Sequence, residues 1–421
     1  ILDINSTFDS GLFISTQLEY SNPPVFGGSV RGLNNFVVDY MGDNYSIKLG
    51  NLYSLYGRGL SLNMSQDQNI DYDNSARGIE LKYTLNDLNL FALWGKSKFD
   101  YRSNPAFIET DLRLENNIYF IGSEYYHDKI GMLQYSVLYE KSKIGIDYIS
   151  KYYSGNSDIG KEISDRFPDG LPENINSDTL KTIDHNLAWN YQFWGADLYI
   201  EKVWNTYTKI LGDIESGSKL YLSLYFDIAG TGITYEYKNY DQKYYIPTLS
   251  AAPTVFREGN STLASRNSHT INWGDEVGHQ IELNSSIGNF QMMGNFSFAY
   301  KHKQKGDETL YPFGFAGYQY PFRQLYSELS GYTLNDKLYF KLGVDLFNEF
   351  RGYEKPSISA LTFPSMLTYN LGGGNSITTY IERQNRVQQK IDEDMIISEN
   401  IDFINNYFSF TFNYLNDLSL S

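Results

Sequence analysis

The stretch GDNYSIKLGNLYSLYGRGLSLNM (Gly42 to Met64), followed by ARGIELKYTL (Ala76 to Leu85) and LNLFALWGKSK (Leu88 to Lys98), decides the fold. In ARGIELKYTL the residues Ile79, Leu81, Tyr83 and Leu85 are apolar, and Gly78, Glu80, Lys82 and Thr84 between them are small or polar. That period of two is the mark of a strand with one greasy and one wet face. Tyr45, Ile47 and Leu49 repeat it against Ser46, Lys48 and Gly50. With the Asn86-Asp87 break, the whole of Gly42 to Lys98 reads as consecutive antiparallel strands.

The pattern continues outward in both directions. GLFISTQLEY precedes it, and behind it come NNIYFIGSEYY, IGMLQYSVLYEKSKIGIDYISKYY, HNLAWNYQFW, ADLYIEKVWNTY, KLYLSLYFDI and GITYEYKNY. VGHQIELNSSI, NFQMMGNFSFAYKHK, RQLYSELSGYTL, KLYFKLGVDLF, ISALTFPSMLTYNL, NSITTYIERQNR and NNYFSFTFNYL complete the series. Tight turns are expected at Asn86-Asp87, Asp128-Lys129, Gly195-Ala196, Ala229-Gly230, Gly288, Asn335-Asp336, Gly372 to Gly374 and Asn416-Asp417. The connections between them are often long and polar, as at Pro23 to Gly28, Asp100 to Glu115, Ser154 to Leu180, Asp241 to Glu276 and Asp392 to Glu399.

Short turns at one end and long loops at the other are the plan of an outer-membrane barrel. The predicted fold is therefore all-β, a transmembrane antiparallel β-barrel of roughly 18–22 strands with short periplasmic turns and long extracellular loops. Tyr83, Tyr125, Tyr126, Phe193, Trp194, Tyr332 and Tyr414 stand beside the short turns, where an aromatic girdle meets the interface. Residues 1–421 read as one barrel domain whose last strand, four residues beyond Asn416-Asp417, is incomplete. A propeller would repeat a blade signature, and a sandwich would leave edges to protect.

Composition agrees with that plan. The chain holds 38 Tyr and 26 Phe but 5 Trp and no Cys, with a mean hydropathy of -0.43. No apolar run of about 18 residues exists, so no transmembrane helix is expected, whereas barrel strands stay polar on average. A net charge of -16 argues against nucleic acid, which needs clustered Lys and Arg. The start at ILDINS, without a leader, fits a cytoplasmic chain or a mature exported one.

If the greasy faces meet lipid, Lys48, Glu80, Lys82, Lys219, Asp227, Glu236, Lys238, Glu282, Lys341 and Asp345 project into the lumen. There they line a wet channel or pair as a salt-bridged wall. The Asp241 to Glu276 connection, with Arg257, Glu258, Arg266 and His269 among small residues, is the candidate constriction. No cofactor is expected. His127, His185, His269, His279 and His302 lack metal-ligand spacing, and Asp392-Glu393-Asp394 offers loose Ca²⁺ binding or a solvated loop. His279 and Ser285 are too far apart along a strand for one hydrogen bond, so no enzyme is expected.

Gly50, Asn51, Tyr53, Gly57, Gly59 and Leu60, then Asp73, Asn74, Ser75, Gly78, Lys82 and Tyr83, form a G-N-x-Y-x-x-x-G-x-G-L segment and a following D-N-S strand. This pattern resembles an uncharacterised family of large outer-membrane β-barrel proteins of Bacteroidetes and related Gram-negative bacteria. GTGITYEYKNYDQ, Arg257-Glu258, Ser261 to Leu263 and Arg266 look similar too. The resemblance implies a bacterial outer-membrane location, with lipid and lipopolysaccharide as surroundings. It carries no activity. Three roles fit the frame: a pore or membrane component of a transport or secretion assembly; a plugged structural barrel anchoring a surface protein or filament; or a sheath for an electron carrier. Surface or periplasmic proteins are the partners these roles call for.

Overall fold

The computed structural model describes residues 1–21, 30–67, 72–100, 113–146, 149–150, 163–172, 175, 177–242, 249, 252–259, 261–269, 274–302, 319–351, 356–391, 397–414 and 418–420. The expected loop at Pro23 to Gly28, the turn at Asn416-Asp417 and the acidic Asp392-Glu393-Asp394 lie outside the described residues, as does most of the loop from Asp100 to Glu115. Two compact units emerge. The first comprises Ile1–Tyr191, Tyr199–Leu220 and Gln242–Pro253, the second Gln192–Leu198, Tyr221–Asp241 and Thr254–Ser421.

The strands of the first part are β1 (Leu2–Thr7), β2 (Leu12–Ser21), β3 (Val30–Met41), β4 (Tyr45–Leu52), β5 (Leu55–Tyr56), β6 (Leu62–Asn63), β7 (Gln66–Asp67), β8 (Tyr72–Asp73), β9 (Ala76–Leu85), β10 (Leu88–Asp100), β11 (Arg113–His127) and β12 (Gly131–Gly145). They continue as β13 (Ser177–Phe193), β14 (Ala196–Thr208), β15 (Ile214–Ile228), β16 (Thr231–Asp241), β17 (Asp275–Ile287) and β18 (Phe290–Lys301). β19 (Gln319–Thr333), β20 (Leu338–Glu349), β21 (Ser357–Gly372), β22 (Asn375–Ile391), β23 (Ile397–Tyr414) and β24 (Leu418–Leu420) close the series. Among the described residues twenty strands exceed two residues, within the expected range. β1 and β3 are strands that the alternation reading leaves out.

In the first unit the antiparallel ladder runs β1–β2–β3–β4–β9–β10–β11–β12–β13. In the second it runs in sequence order from β16 to β24. Register follows the greasy faces: Tyr45 sits opposite Tyr83, Ile47 opposite Leu81 and Leu49 opposite Ile79. Slipping by one residue would turn every one of them over. The turns are equally local in origin. Ala229 (φ 53°) and Gly230 (φ 80°) supply the two positive φ values of a tight hairpin between β15 and β16.

The faces are inverted relative to a water-soluble protein. In the first unit Gln134, Ser136, Glu140, Asp184 and Asn186 are buried, while their neighbours Leu133, Tyr135, Ile183 and Leu187 are exposed. In the second unit Gln280, Asn295, Ser297, Gln324, Thr362, Glu382 and Gln384 are buried, while Ile281, Leu283, Phe296, Leu325, Leu329, Phe363 and Ile381 are exposed. So large an exposed apolar surface is stable only against lipid or a partner. Of the aromatics expected beside the short turns, Tyr83, Tyr125, Tyr126, Trp194, Tyr332 and Tyr414 are exposed and Phe193 is half-buried. Among the described residues no helix is long and apolar enough to cross a membrane.

One expectation is overturned in the deciding stretch. Gly42 to Lys98 is not a run of consecutive sheet strands, because β4 ends at Leu52 and the chain leaves the sheet until Ala76. The parity of the apolar positions changes there: Tyr45, Ile47 and Leu49 are odd, whereas the buried Leu52, Tyr56, Leu60, Leu62 and Met64 are even. The segment keeps a period of two but turns its greasy side onto an apolar island of the wall, formed by Phe91, Leu93, Ile118, Phe120 and Leu138.

Candidate functional site: two loops folded onto the polar faces

In each unit a long connection folds back against that unit's own buried polar face. In the first, β5 and β6 form a short hairpin, Leu55 opposite Asn63 and Tyr56 opposite Leu62. Its tip is Gly57-Arg58-Gly59. Glu201 on β14, fully buried, accepts the backbone N–H of Arg58 at 2.7 Å, the Tyr199 hydroxyl at 2.8 Å and the Asn186 amide at 2.7 Å. Lys219 on β15, also buried, donates from Nζ to the carbonyl of Leu60 at 3.0 Å. The Arg58 guanidinium lies 5.0 Å over the ring of Tyr199. At the hairpin base the Tyr56 hydroxyl donates to Glu80 at 2.5 Å, and its ring stacks 4.3 Å from Phe91.

In the second unit the loop after β16 is held in the same chemical manner. Lys238, buried, donates to the carbonyl of Thr254 and pairs with Glu276. Glu382 on β22, fully buried, accepts Ser261 Oγ at 2.9 Å, Thr262 N–H at 2.7 Å and Leu263 N–H at 2.8 Å. Gln384 Nε2 donates to the carbonyl of Leu263 at 3.0 Å. Phe256 packs with Ala299, Phe322, Phe347, Ile358 and Ala360. The Arg257 guanidinium sits 3.7 Å over the Tyr326 ring. A buried carboxylate that accepts backbone N–H groups, together with a buried lysine that donates to a loop carbonyl, satisfies polar groups whose burial would otherwise be costly.

His269 ends the second loop between two acids. Its Nδ1 lies 2.6 Å from Glu349 Oε1 and its Nε2 3.3 Å from Glu276 Oε1, while its ring stacks 4.1 Å from Phe322. Glu349 also binds Arg351, and Glu276 binds Lys238. The order Lys238, Glu276, His269, Glu349, Arg351 alternates in sign when the imidazole is protonated. Burial opposes that charge, but hydrogen bonds to Glu276 and Glu349 outweigh it and raise the imidazole above its ordinary value.

The residues singled out from sequence fall into three groups. Lys219, Lys238, Glu80 and Asp345 are buried on the polar faces; Asp345 accepts the Gln324 amide at 2.9 Å. Lys48, Glu236, Glu282 and Lys341 are half-buried. Lys48 pairs with Asp39 at 3.6 Å and Lys341 with Glu328 at 2.8 Å, Glu236 takes the Tyr221 hydroxyl, and Glu282 takes the Asn284 amide at 2.7 Å. Lys82, 3.5 Å from Glu80, is exposed, and so is Asp227, which accepts the Gly230 N–H and caps the hairpin turn. In the loop, Arg257 is half-buried and His269 buried, but Glu258 and Arg266 are exposed.

Sequence reasoning missed the two gripping acids. Glu201 alternates with Leu198 and Ile200, and Glu382 with Ile381, so their polar-face positions were readable. What hid Glu201 is that Tyr199, Val203 and Tyr207 share its face and mask the contrast. Among the described residues no group of three or more His, Cys, Asp or Glu is placed to hold a metal ion.

The siderophore receptor PirA of Acinetobacter baumannii superposes with a TM-score of 0.51 at 10% identity, covering 95% of this chain and 68% of that one. The ferric enterobactin receptor PfeA of Pseudomonas aeruginosa, in complex with BCV-L6, gives 0.50 at 12% identity, with 97% and 69% covered. These likenesses are of fold, an antiparallel β-barrel of the outer-membrane type. No curated protein matches the chain. The profile of DUF6029, described as a family of unknown function, matches residues 8–384, a span that includes both infolded segments, and the chain belongs to that family.

Proposed function

We propose that the chain is a self-plugged barrel in the outer membrane of a Gram-negative bacterium of the Bacteroidetes or a related group, acting as the membrane component of a transport or secretion assembly. Its apolar face meets lipid and lipopolysaccharide. Its lumen is kept shut by the two infolded segments, so solute passage requires their displacement by a partner or a solute. The single observation behind this reading is the paired grip on backbone groups: Glu201 with Lys219 in one unit, Glu382 with Lys238 in the other. A loop held by two or three hydrogen bonds to charged groups is shut at rest and releasable, since each bond contributes about 1.5–3 kcal/mol.

The test is conductance in planar bilayers. Wild type is expected to conduct little, and the Glu201→Ala/Glu382→Ala double variant, or deletion of Thr254 to Arg266, to raise the conductance. A wild type that conducts as a wide open pore sinks the plug. A second reading, a permanently sealed barrel that anchors a surface or periplasmic protein, draws on the same three-point grip of Glu382 on Ser261, Thr262 and Leu263. It predicts that the release variants stay shut while native membranes, extracted in mild detergent, yield a stoichiometric partner.

A further inference from the structure

A cavity of about 620 Å³ lies in the first unit where β9 to β12 reach their short turns. That volume is in the range of small-molecule sites. Its roof is the infolded hairpin, through Leu55, Tyr56 and Gly57, and part of its floor is a row of side chains on the polar face. Register sets the row: Thr84 lies opposite Asn89, Asn89 opposite Glu124 and Glu124 opposite Gln134. Every residue of the lining belongs to the first unit and is among the described residues.

Two groups of that row have bonds left to make. Thr84 Oγ1 donates to Asn89 Oδ1 at 2.9 Å, and the Asn89 amide reaches Glu124 Oε1 at a long 3.4 Å. This chain, with the Tyr126 hydroxyl beside it, orients the carboxylate without neutralising it. Glu124 is half-buried, and among the described residues no cation pairs with it; Lys82, which also lines the cavity, is 3.5 Å from Glu80 instead. Gln134 is 3% exposed, and among the described residues its amide nitrogen Nε2 is buried with no hydrogen-bond partner, a costly state for a donor. A carboxylate short of a cation thus stands directly across the ladder from an amide short of an acceptor, their Cα atoms about 4.5–5.5 Å apart.

We propose that Glu124 and Gln134 bind the amino terminus of a peptide, with its α-ammonium on Glu124 and its first carbonyl oxygen on the Gln134 amide. Within one aminoacyl unit that nitrogen and that oxygen are about 3 Å apart by covalent geometry, so a single residue serves two neighbouring side chains at once. The ammonium supplies the charge that a half-buried carboxylate needs, and the carbonyl supplies the missing acceptor. A free amino acid fits less well. It adds a carboxylate to a place where Glu80, Glu124 and Asp43 already outnumber Lys82. A sugar hydroxyl could touch both groups but would leave the charge of Glu124 unpaired. The site exists whether or not the hairpin above it is displaced, and it is independent of the transport reading.

The probe is alanyl-alanine amide, titrated by equilibrium dialysis against the whole protein in uncharged detergent at about pH 6.5, where an α-amino group is protonated. Saturable binding is expected, weakened about tenfold or more when the probe is N-acetylated, the loss of one charge-assisted bond. That comparison is made on wild type and needs no variant to fold. In Glu124→Gln the free and acetylated probes should bind equally, and Gln134→Ala should weaken both. A ten-residue peptide with the same first two residues separates the sources of the ligand: binding as tight as the short probe identifies a site open to the amino terminus of a protein, and binding of the short probe alone identifies a site for small peptides. Absence of saturable binding to wild type, an acetylated probe that binds as tightly as the free one, glucose competing at the same concentration, or an acetylation effect that survives in Glu124→Gln overturns the proposal.

Discussion

The carboxylate of Glu201 stands where a side chain on Gly57 would have to go: a Cβ built on Gly57 would lie 2.6 Å from Glu201 Oε1. Gly57 also has φ +62°, so the hairpin tip needs glycine for backbone shape and for close approach. Gly57→Ala should loosen the hairpin by about 1–3 kcal/mol. Hydrogen exchange at Arg58, whose N–H is the one bound to Glu201, should accelerate while exchange in β11 and β12 stays slow.

Glu382→Gln keeps the shape of the second grip and removes its charge, whereas Glu382→Ala leaves Thr262 N–H and Leu263 N–H without their acceptor. The alanine variant should cost the loop at least about 3 kcal/mol and the glutamine variant roughly half that. Trypsin cleavage after Arg257 and Arg266, read by mass spectrometry, should rank the three proteins in that order. Equal cleavage rates would remove Glu382 from its role.

His269 makes the second grip dependent on pH. Its value is raised in the folded protein, so the stabilisation is complete below the ordinary histidine value of about 6.5 and is lost as pH rises through the raised value. Loop cleavage by trypsin, corrected for the enzyme's own profile, should therefore increase across that alkaline window. In His269→Gln the same rise should vanish.

The outward face of β17 should not accept charge. Ile281→Lys, in the middle of the strand on the exposed apolar face, is expected to cost roughly 2–4 kcal/mol of folding into vesicles. Glu282→Gln, on the opposite face and half-buried, should cost under about 1 kcal/mol. Heat-modifiable migration of the two variants after urea titration measures the difference.

Much of this architecture was legible because a period of two survives in a single sequence. The strands around Tyr83 and Ile281 could be oriented from their neighbours alone, and the hairpin turns announce themselves as Asn-Asp, Ala-Gly or Gly-Gly-Gly. The infolded segments were not legible in the same way. Leu52 to Met64 still alternates, so only its change of parity marks the departure from the sheet. The loop from Ala252 to His269 has no period, and its partners Glu382 and Glu349 lie about a hundred residues away, beyond any local pattern. Arg266 and His269 stood out by residue type; that one is exposed and the other clamped by two acids depends on tertiary contacts.

The reach of those contacts sets an order of assembly. Arg58 meets Glu201 across 143 positions, Lys219 meets Leu60 across 159, and Thr262 meets Glu382 across 120, whereas each hairpin ladder joins neighbours. Long-range closures come late in folding, so on the proposed plug reading the newly inserted protein passes through an unsealed stage, leaky to small ions, before its stoppers seat, and the cell's tolerance for that leak bounds how slowly they can do so.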